Sequence, residues 1–270
     1  MEDGTVQSIG IIGVGEIGRA IVEGLRNDGG DGDFTPPDVH LSPRGARTAA
    51  ELAERFGGVR VCADNQEVVD RSETVVIALR RQDHREALAG LQVDDDRTVV
   101  NLIAGVSTED LRRTLATGAA IVGAIPLPAV RERRSVTVTH PSHPVADALF
   151  GRLGGVLPVA DQEAFNVFSA LTSTLTAHYA YLTTLTSWAT GHGIAPDAAD
   201  HYVRGLFQNV GRSLGDATRP LHRLAADHET PGGSNERIRT TWFDPANAAA
   251  LKDALDGLLT HLNQERPGRR

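Results

Sequence analysis

The 270-residue sequence predicts an α/β protein: a doubly wound parallel sheet in residues 1–160, followed by an all-α segment over 161–270. Three observations carry this expectation. Short β-rich runs alternate with helical stretches through the first half, as parallel strands joined by crossover helices require. Several of those runs are continuously apolar, as strands covered by helices on both faces must be. After about Asp161 the apolar period lengthens from two residues to roughly 3.6, the helical repeat.

Taken in order, strands are expected over 8–14, 39–42, 59–62, 74–79, 98–103, 120–124 and 135–139. Residues 151–159 read as a last strand with its approach loop. Helices are expected over 16–27, 46–56, 82–91 and 108–117, with Ser107 or Thr108 capping the last of these ahead of Glu109 and Asp110. In the second part Phe165, Phe168, Leu171, Leu175, Leu182 and Leu185 share one stripe of a long helix ending near 191–193. Pro196 suits the first turn of the next helix, where Tyr202, Leu206, Val210 and Leu214 recur at helical spacing. A Gly-rich break at 230–233 precedes a further helix. Asp244-Pro245 opens the last one, which carries Leu251, Leu255, Leu258 and Leu262. Nearly all of these stripes read as core. They are also more apolar surface than a segment of roughly 110 residues covers by itself, which predicts a homodimer formed through the C-terminal helices.

Composition narrows the partners. A formal net charge of -8 gives no electrostatic reason to expect nucleic acid or a membrane surface. The single cysteine, Cys62, cannot form an internal disulfide, which suits a reducing compartment. Residues 1–8 are acidic and polar rather than a charged-then-apolar leader, and no apolar run approaches the roughly 20 residues of a membrane span. A soluble, cytoplasmic protein is expected. Of the 27 basic residues, only Lys252 is a lysine, which removes lysine catalysis almost everywhere.

The strongest chemical signal is Gly13-Val14-Gly15-Glu16-Ile17-Gly18. This G-x-G-x-x-G run follows an apolar strand and leads into a helix, the context of a Rossmann dinucleotide-binding turn. Gly13 permits the tight turn, Gly15 lets a pyrophosphate approach the backbone, and Gly18 lets helix pack on strand. Glu16 and Ile17 place their amides at the helix N-terminus, which faces the anion. At the end of the second strand an NAD enzyme carries an acid for the ribose 2′-hydroxyl. This sequence instead reads Ser42-Pro43-Arg44-Gly45-Ala46-Arg47. Ser42 can hydrogen-bond a 2′-phosphate and Arg44 with Arg47 can neutralise it, so NADP is the expected cofactor.

These residues, with others further along, resemble the pyrroline-5-carboxylate reductase family over nearly the whole chain. Residues 13–25 resemble its phosphate loop and first helix. Val76-Ile77-Ala78-Leu79 and Asn101-Leu102-Ile103-Ala104-Gly105-Val106 fall at its fourth and fifth strands, and Ile125-Pro126-Leu127-Pro128 at its Met-Pro-Asn-Thr-Pro segment. Gly193-Ile194-Ala195-Pro196 matches its helix break, and Thr230-Pro231-Gly232-Gly233-Ser234-Asn235 its Ser-Pro-Gly-Gly-Thr-Thr loop. The resemblance implies reduction of the C=N bond of an imine acid by a nicotinamide cofactor, and helical domains that interlock into dimers or higher oligomers. It adds Ala78, Leu79 and Arg80 after the fourth strand, and Ala104 and Gly105 after the fifth, to the cofactor-binding set.

By the same resemblance the amides of Gly232, Gly233 and Ser234 cradle a substrate carboxylate. Successive amides in a Gly-rich turn before a helix do form an anion nest. Asn235 stands where the family has a Thr that addresses the imine nitrogen. The family's Ser-Gly-Ser-Gly-Pro-Ala-Tyr stretch is here Thr172-Ser173-Thr174-Leu175-Thr176-Ala177-His178. That change predicts a straighter helix, puts Thr172 and Thr176 against the substrate, and makes His178 a candidate proton donor. With Leu127 and Arg80-Arg81 also departing from the pattern, the expectation is a divergent relative with a different substrate.

Other readings have less support. The β-hydroxyacid dehydrogenases share the two-domain plan but use a lysine early in the helical domain, where this chain has none. His140-Pro141-Ser142-His143-Pro144 offers two histidines without a third ligand of suitable spacing, so no metal is expected. No Ser-His-Asp arrangement sits in a nucleophile-elbow context. His228 and Glu229 flank the Gly-rich loop as candidate supporting residues. An NADP-binding sensor without catalysis, or a keto acid reductase, are the alternatives; the retained Pro-Gly-Gly favours the enzyme.

Overall fold

The computed structural model describes residues 7–27 and 35–264; most of the polar N-terminal run (1–6) lies outside them. The chain divides into two compact units, residues 1–168 with 262–270, and residues 169–261.

The first unit contains, in chain order, β1 (Ser8–Ile12), α1 (Glu16–Arg26), β2 (Asp38–Leu41), α2 (Ala46–Arg55), β3 (Val59–Val61), α3 (Asn65–Asp70) and β4 (Thr74–Ile77). There follow α4 (His84–Ala87), β5 (Thr98–Asn101), α5 (Thr108–Leu115), β6 (Ala120–Ile125), a short 3-10 helix (Pro128–Glu132), β7 (Thr137–His140), α6 (Pro144–Arg152), β8 (Val156–Pro158) and the start of α7 (Gln162–Thr172). The strands form one eight-stranded sheet in the order β3-β2-β1-β4-β5-β6-β7-β8. The first six run parallel, with Ile9 opposite Val39 on one side and Thr74 on the other. Strand β7 runs antiparallel to β6. Their connection holds only the 3-10 helix and is too short for the crossover that a parallel pair needs. The longer connection through α6 then restores a parallel pairing of β8 on β7.

Both faces of the sheet are covered, as the continuous apolar runs predict. Adjacent residues of one strand point to opposite faces. Ile9, Ile11, Val76, Val100 and Val122 join one cluster with Ile21, Leu25, Leu52 and Phe150. Ile12, Val75, Ile77, Val99 and Ile121 join the other with Val68, Leu88 and Leu111. Each fully buried aliphatic side chain contributes about 1.5–3 kcal/mol relative to exposure. The buried Asn166 of α7 donates to Asn263 Oδ1 at 2.9 Å, tying the C-terminal residues to this unit.

Two helices of this unit were not expected from the sequence. The Asp64 carboxylate caps α3 by accepting from the Glu67 amide at 2.8 Å. Pro144 stands in the first turn of α6, whose buried Ala146, Leu149 and Phe150 form a helical stripe just ahead of the region read as a strand approach. Conversely, α4 keeps a single turn of the helix expected over 82–91.

The second unit is all helical: the end of α7, then α8 (Thr174–Gly191), α9 (Pro196–Ser213), α10 (Leu221–Asp227), α11 (Ser234–Thr241) and most of α12 (Pro245–Gln264). The single long helix expected up to residue 191 is broken at Ser173 instead. Here hydroxyls compete for main-chain carbonyls: Ser173 Oγ donates to the Ser169 carbonyl at 3.1 Å and Thr174 Oγ1 to that of Leu171 at 2.8 Å, a pattern that bends helices. The stripes read as core are largely uncovered within one chain. Tyr202 is 71% exposed, Leu206 46%, Val210 41% and Leu214 54%, and among the described residues of this unit only Ala170 and Ala199 are buried. No helix among the described residues is long and apolar enough to cross a membrane.

Candidate active site

The chain leaves β1 at Ile12 and turns through Gly13, whose φ of +102° lies in the left-handed region that only glycine enters at no steric cost. A Cβ there would collide with the carbonyl of Ala78, just beyond β4. A Cβ on Gly18 would stand 2.5 Å from the Gly13 carbonyl oxygen, so α1 approaches its own loop as closely as the chain permits. Gly15, at the N-cap of α1, differs: its missing Cβ points into open space, and no side chain caps the helix. Uncapped amides at the positive end of a helix dipole, beside a space free of side chains, fit a pyrophosphate. The Glu16 carboxylate pairs with Arg131 of the 3-10 helix. Behind it the buried Glu23 gathers Arg19 at 3.0 Å and Arg55 at 3.2 Å.

The end of β2 abuts this loop. Ser42 is fully buried, and its Oγ accepts from the Gly13 amide at 3.0 Å. It therefore braces the loop from beneath rather than presenting a hydroxyl at the surface, which corrects its expected role toward a 2′-phosphate. Gly45, the N-cap of α2, has a φ of +91°, and a Cβ on it would stand 3.3 Å from the Val14 carbonyl oxygen. The β2–α2 turn is thereby pressed against the glycine loop with Arg44 and Arg47 exposed on it. Arg44 lies 3.8 Å from Asp83, after β4; Arg47 has no ion pair among the described residues. Ala78 and Leu79 are half-buried and Arg80 exposed beyond β4, and Ala104 and Gly105 are exposed beyond β5. The buried Asn101 shapes that last turn: its Nδ2 donates to the Val106 carbonyl at 2.8 Å and its Oδ1 accepts from the Ile103 amide at 3.0 Å.

In the second unit the turn 230–235 enters α11. Gly233 is its N-cap, and a Cβ there would stand 2.8 Å from the Thr230 carbonyl oxygen. The turn is bonded from within. The Gly233 amide donates to the Thr230 carbonyl at 2.8 Å, the Gly232 amide to Glu236 Oε2 at 2.6 Å, and Asn235 Nδ2 to the His228 carbonyl at 2.6 Å. Arg239 grips Glu229 through both Nε and Nη2. Two of the three amides expected to cradle a carboxylate thus already have partners, and Ser234 is the one left at the helix start.

Residues 8–105 match a family model described as NADP oxidoreductase, coenzyme F420-dependent. A pyrroline-5-carboxylate reductase 3 of Xenopus laevis is 24% identical over 235 residues, covering 84% of each chain. A solved pyrroline-5-carboxylate reductase of Coxiella burnetii superposes with a TM-score of 0.78 at 19% identity, over 98% of this chain and 100% of that one. The chain is thus similar in sequence to pyrroline-5-carboxylate reductases and shares their fold. A reductive aminase of Aspergillus terreus, solved with NADPH and ethyl levulinate, shares the fold more distantly, with a TM-score of 0.60 at 18% identity over 83% of this chain and 78% of that one.

The remaining candidate residues lie on the helices of the second unit. Thr172 is half-buried at the end of α7, and Thr176 and His178 are exposed on α8. His178 packs edge-on to Phe207 of α9, ring centroids 5.8 Å apart. Phe207 in turn meets Tyr181, which stacks on Trp242 at 5.1 Å. His178 is thus one member of an aromatic cluster. Sequence reasoning passed over Gly45, Asn101, Asp83 and Glu236. Of these Glu236 was legible, since a carboxylate in the first turn of a helix can reach back to the main-chain amides at its start. Among the described residues no cluster of three or more His, Cys, Asp or Glu could hold a metal ion.

Proposed function

We propose that the protein is an NADPH-dependent reductase of carbon–nitrogen double bonds. The observation that carries this reading is the glycine cradle at the uncapped start of α1, joined to a β2 end that offers Arg44 and Arg47 and no acid. When bound, the reduced nicotinamide supplies a hydride to the imine carbon, the nitrogen takes a proton, and an amine and the oxidised cofactor result.

On this reading the amides around Gly15 hold the pyrophosphate, and Gly13 and Gly18 give the turn its shape. Arg44 exchanges Asp83 for a 2′-phosphate, with Arg47 beside it. Ala78, Leu79, Arg80, Ala104 and Gly105 complete the cofactor-binding set. Residues 1–160 form the cofactor domain and 161–270 the substrate and dimerisation domain of a cytoplasmic homodimer. The exposed stripe of α9 supports the dimer, because a folded chain does not leave such a face in water. Substrate contacts are assigned to the 230–235 turn and to Thr172 and Thr176. Asn235 and His178 are the groups proposed to address the reacting nitrogen. A relative named for reducing a pyrroline carboxylate, and a reductive aminase solved with NADPH, support the C=N chemistry.

Two measurements test this. NADPH oxidation over cyclic imines, linear ketimines and keto acids should show turnover with the imines; turnover with keto acids alone would exclude the reading. Fluorescence titration should show NADPH binding about tenfold or more tighter than NADH, from charge-assisted contacts of roughly 1.5–3 kcal/mol each. The preference should shrink in Arg44→Ala and Arg47→Ala, and equal affinities in the native protein would sink the NADP assignment.

A further inference from the structure

The 230–235 turn carries its own carboxylate. Glu236 stands three residues beyond the N-cap Gly233 and reaches back, its Oε2 accepting from the Gly232 amide at 2.6 Å. Two further donors that would greet an incoming acid are also engaged, the Gly233 amide by the Thr230 carbonyl and Asn235 Nδ2 by the His228 carbonyl, which leaves the Ser234 amide. Arg239, which could offset a second negative charge, is gripped by Glu229 at both Nε and Nη2.

A nest of backbone amides binds one anion well because its partial positive charge is concentrated in one place. Once a carboxylate occupies it, a second one meets like charge with only the Ser234 amide left to receive it, and such juxtaposition is unfavourable. The occupant belongs to the chain itself, so it does not dissociate as a ligand would. A soluble competitor would have to displace a group already held at the turn by the chain.

We infer that Glu236 sets the substrate class: imines without a carboxylate beside the C=N carbon, the acid position being filled by the protein itself. The inference rests on the reductase reading and on the assignment of the 230–235 turn to the substrate. It replaces the acid expected from the resemblance with a neutral or, once protonated on nitrogen, cationic imine, for which the Glu236 carboxylate is an attractive neighbour rather than a repulsive one.

The experiment compares a five-membered cyclic imine with the same imine bearing a carboxylate on the carbon next to nitrogen, using the full-length protein and NADPH. The native protein should show kcat/KM at least tenfold higher for the uncharged imine. Glu236→Gln, which keeps an acceptor for Gly232 but removes the charge, and Glu236→Ala, which empties the nest, should each shift that ratio toward the acid by tenfold or more. Calorimetry with the corresponding saturated amine and amino acid gives the same comparison as binding alone, and melting curves show that the variants are folded. Equal or better reduction of the acid by the native protein, or a ratio that neither variant moves, overturns the inference while leaving C=N reduction standing. Reduction of neither imine overturns the reductase reading and this inference with it.

Discussion

The two units were read from the same kind of signal, apolar residues at regular spacing, and they use it in opposite ways. In the first unit the periodic residues are enclosed: Ile9, Ile11, Ile12, Ile21, Leu52 and Phe150 are all shut from water. In the second, Tyr202, Leu206, Val210 and Leu214 recur every fourth residue along α9 and its C-cap, and all lie exposed. Periodicity states which way side chains point on an element. It does not state whether the covering surface belongs to the same chain. A sheet covered by helices on both faces supplies its own cover, whereas the helices of the second unit leave this stripe exposed.

The largest effects should separate the units along this line. Phe150→Ala empties an enclosed site and should cost about 3–5 kcal/mol of stability without changing the assembled mass. Leu206→Asp with Val210→Asp should do the reverse, converting the proposed dimer to the 28.8 kDa chain by light scattering. A dimer that survives both aspartates would mean that the α9 stripe is covered by something else. Within the first unit the contrast sharpens at two glycines of one loop. Gly13→Ala puts a Cβ against the Ala78 carbonyl at a positive φ and should cost about 2 kcal/mol or more. Gly15→Ala meets open space and should leave stability within about 0.5 kcal/mol, yet weaken NADPH binding about tenfold or more by filling the pyrophosphate's place. Equal NADPH affinity in Gly15→Ala and the native protein would remove the pyrophosphate from this loop.

The smallest expected effect is a pH dependence confined to the first unit. His40 of β2 is buried, and burial holds its imidazole below the ordinary histidine value, an effect that Asp38 opposes. The unfolded chain therefore binds a proton near pH 6.5 that the folded chain resists, and stability falls as pH drops through the unfolded value. Melting curves on either side of that pH should show a loss in the native protein that is smaller in His40→Leu. The same loss in both would assign it to other groups.

Much of this architecture was legible because strands buried on both faces leave unbroken apolar runs that little else produces. The glycine turn was legible for a different reason: three positions each exclude a side chain on separate grounds, so chance imitation in that context is rare. The direction of β7 was hidden, since the sequence shows a strand but not whether its connection has room to cross the sheet. The short α3 and the helix α6 were missed because their stripes are brief and their caps, Asp64 and His143-Pro144, look like turn residues. The break at Ser173 follows from hydroxyls competing for carbonyls, which a count of helix formers does not register. At the candidate site the chemistry of Ser42 suits a phosphate, but its position at a buried strand end turns the hydroxyl inward toward Gly13. The Glu236 carboxylate lies beyond the end of the glycine pattern that marks the turn, so the pattern does not register it.

The bond from the Gly13 amide to Ser42 Oγ has one more consequence. It is made wholly by the protein's own groups, as is the fit of Gly13 against Ala78 and of Gly45 against Val14. A loop fixed in this way has little conformational freedom left to surrender, so a ligand's contacts appear as affinity instead of being spent on ordering the chain. Rigidity has a second face: the loop cannot widen to admit a bulkier anion. On the proposed reading, the fit to a pyrophosphate then depends in part on one buried hydroxyl that the ligand never touches.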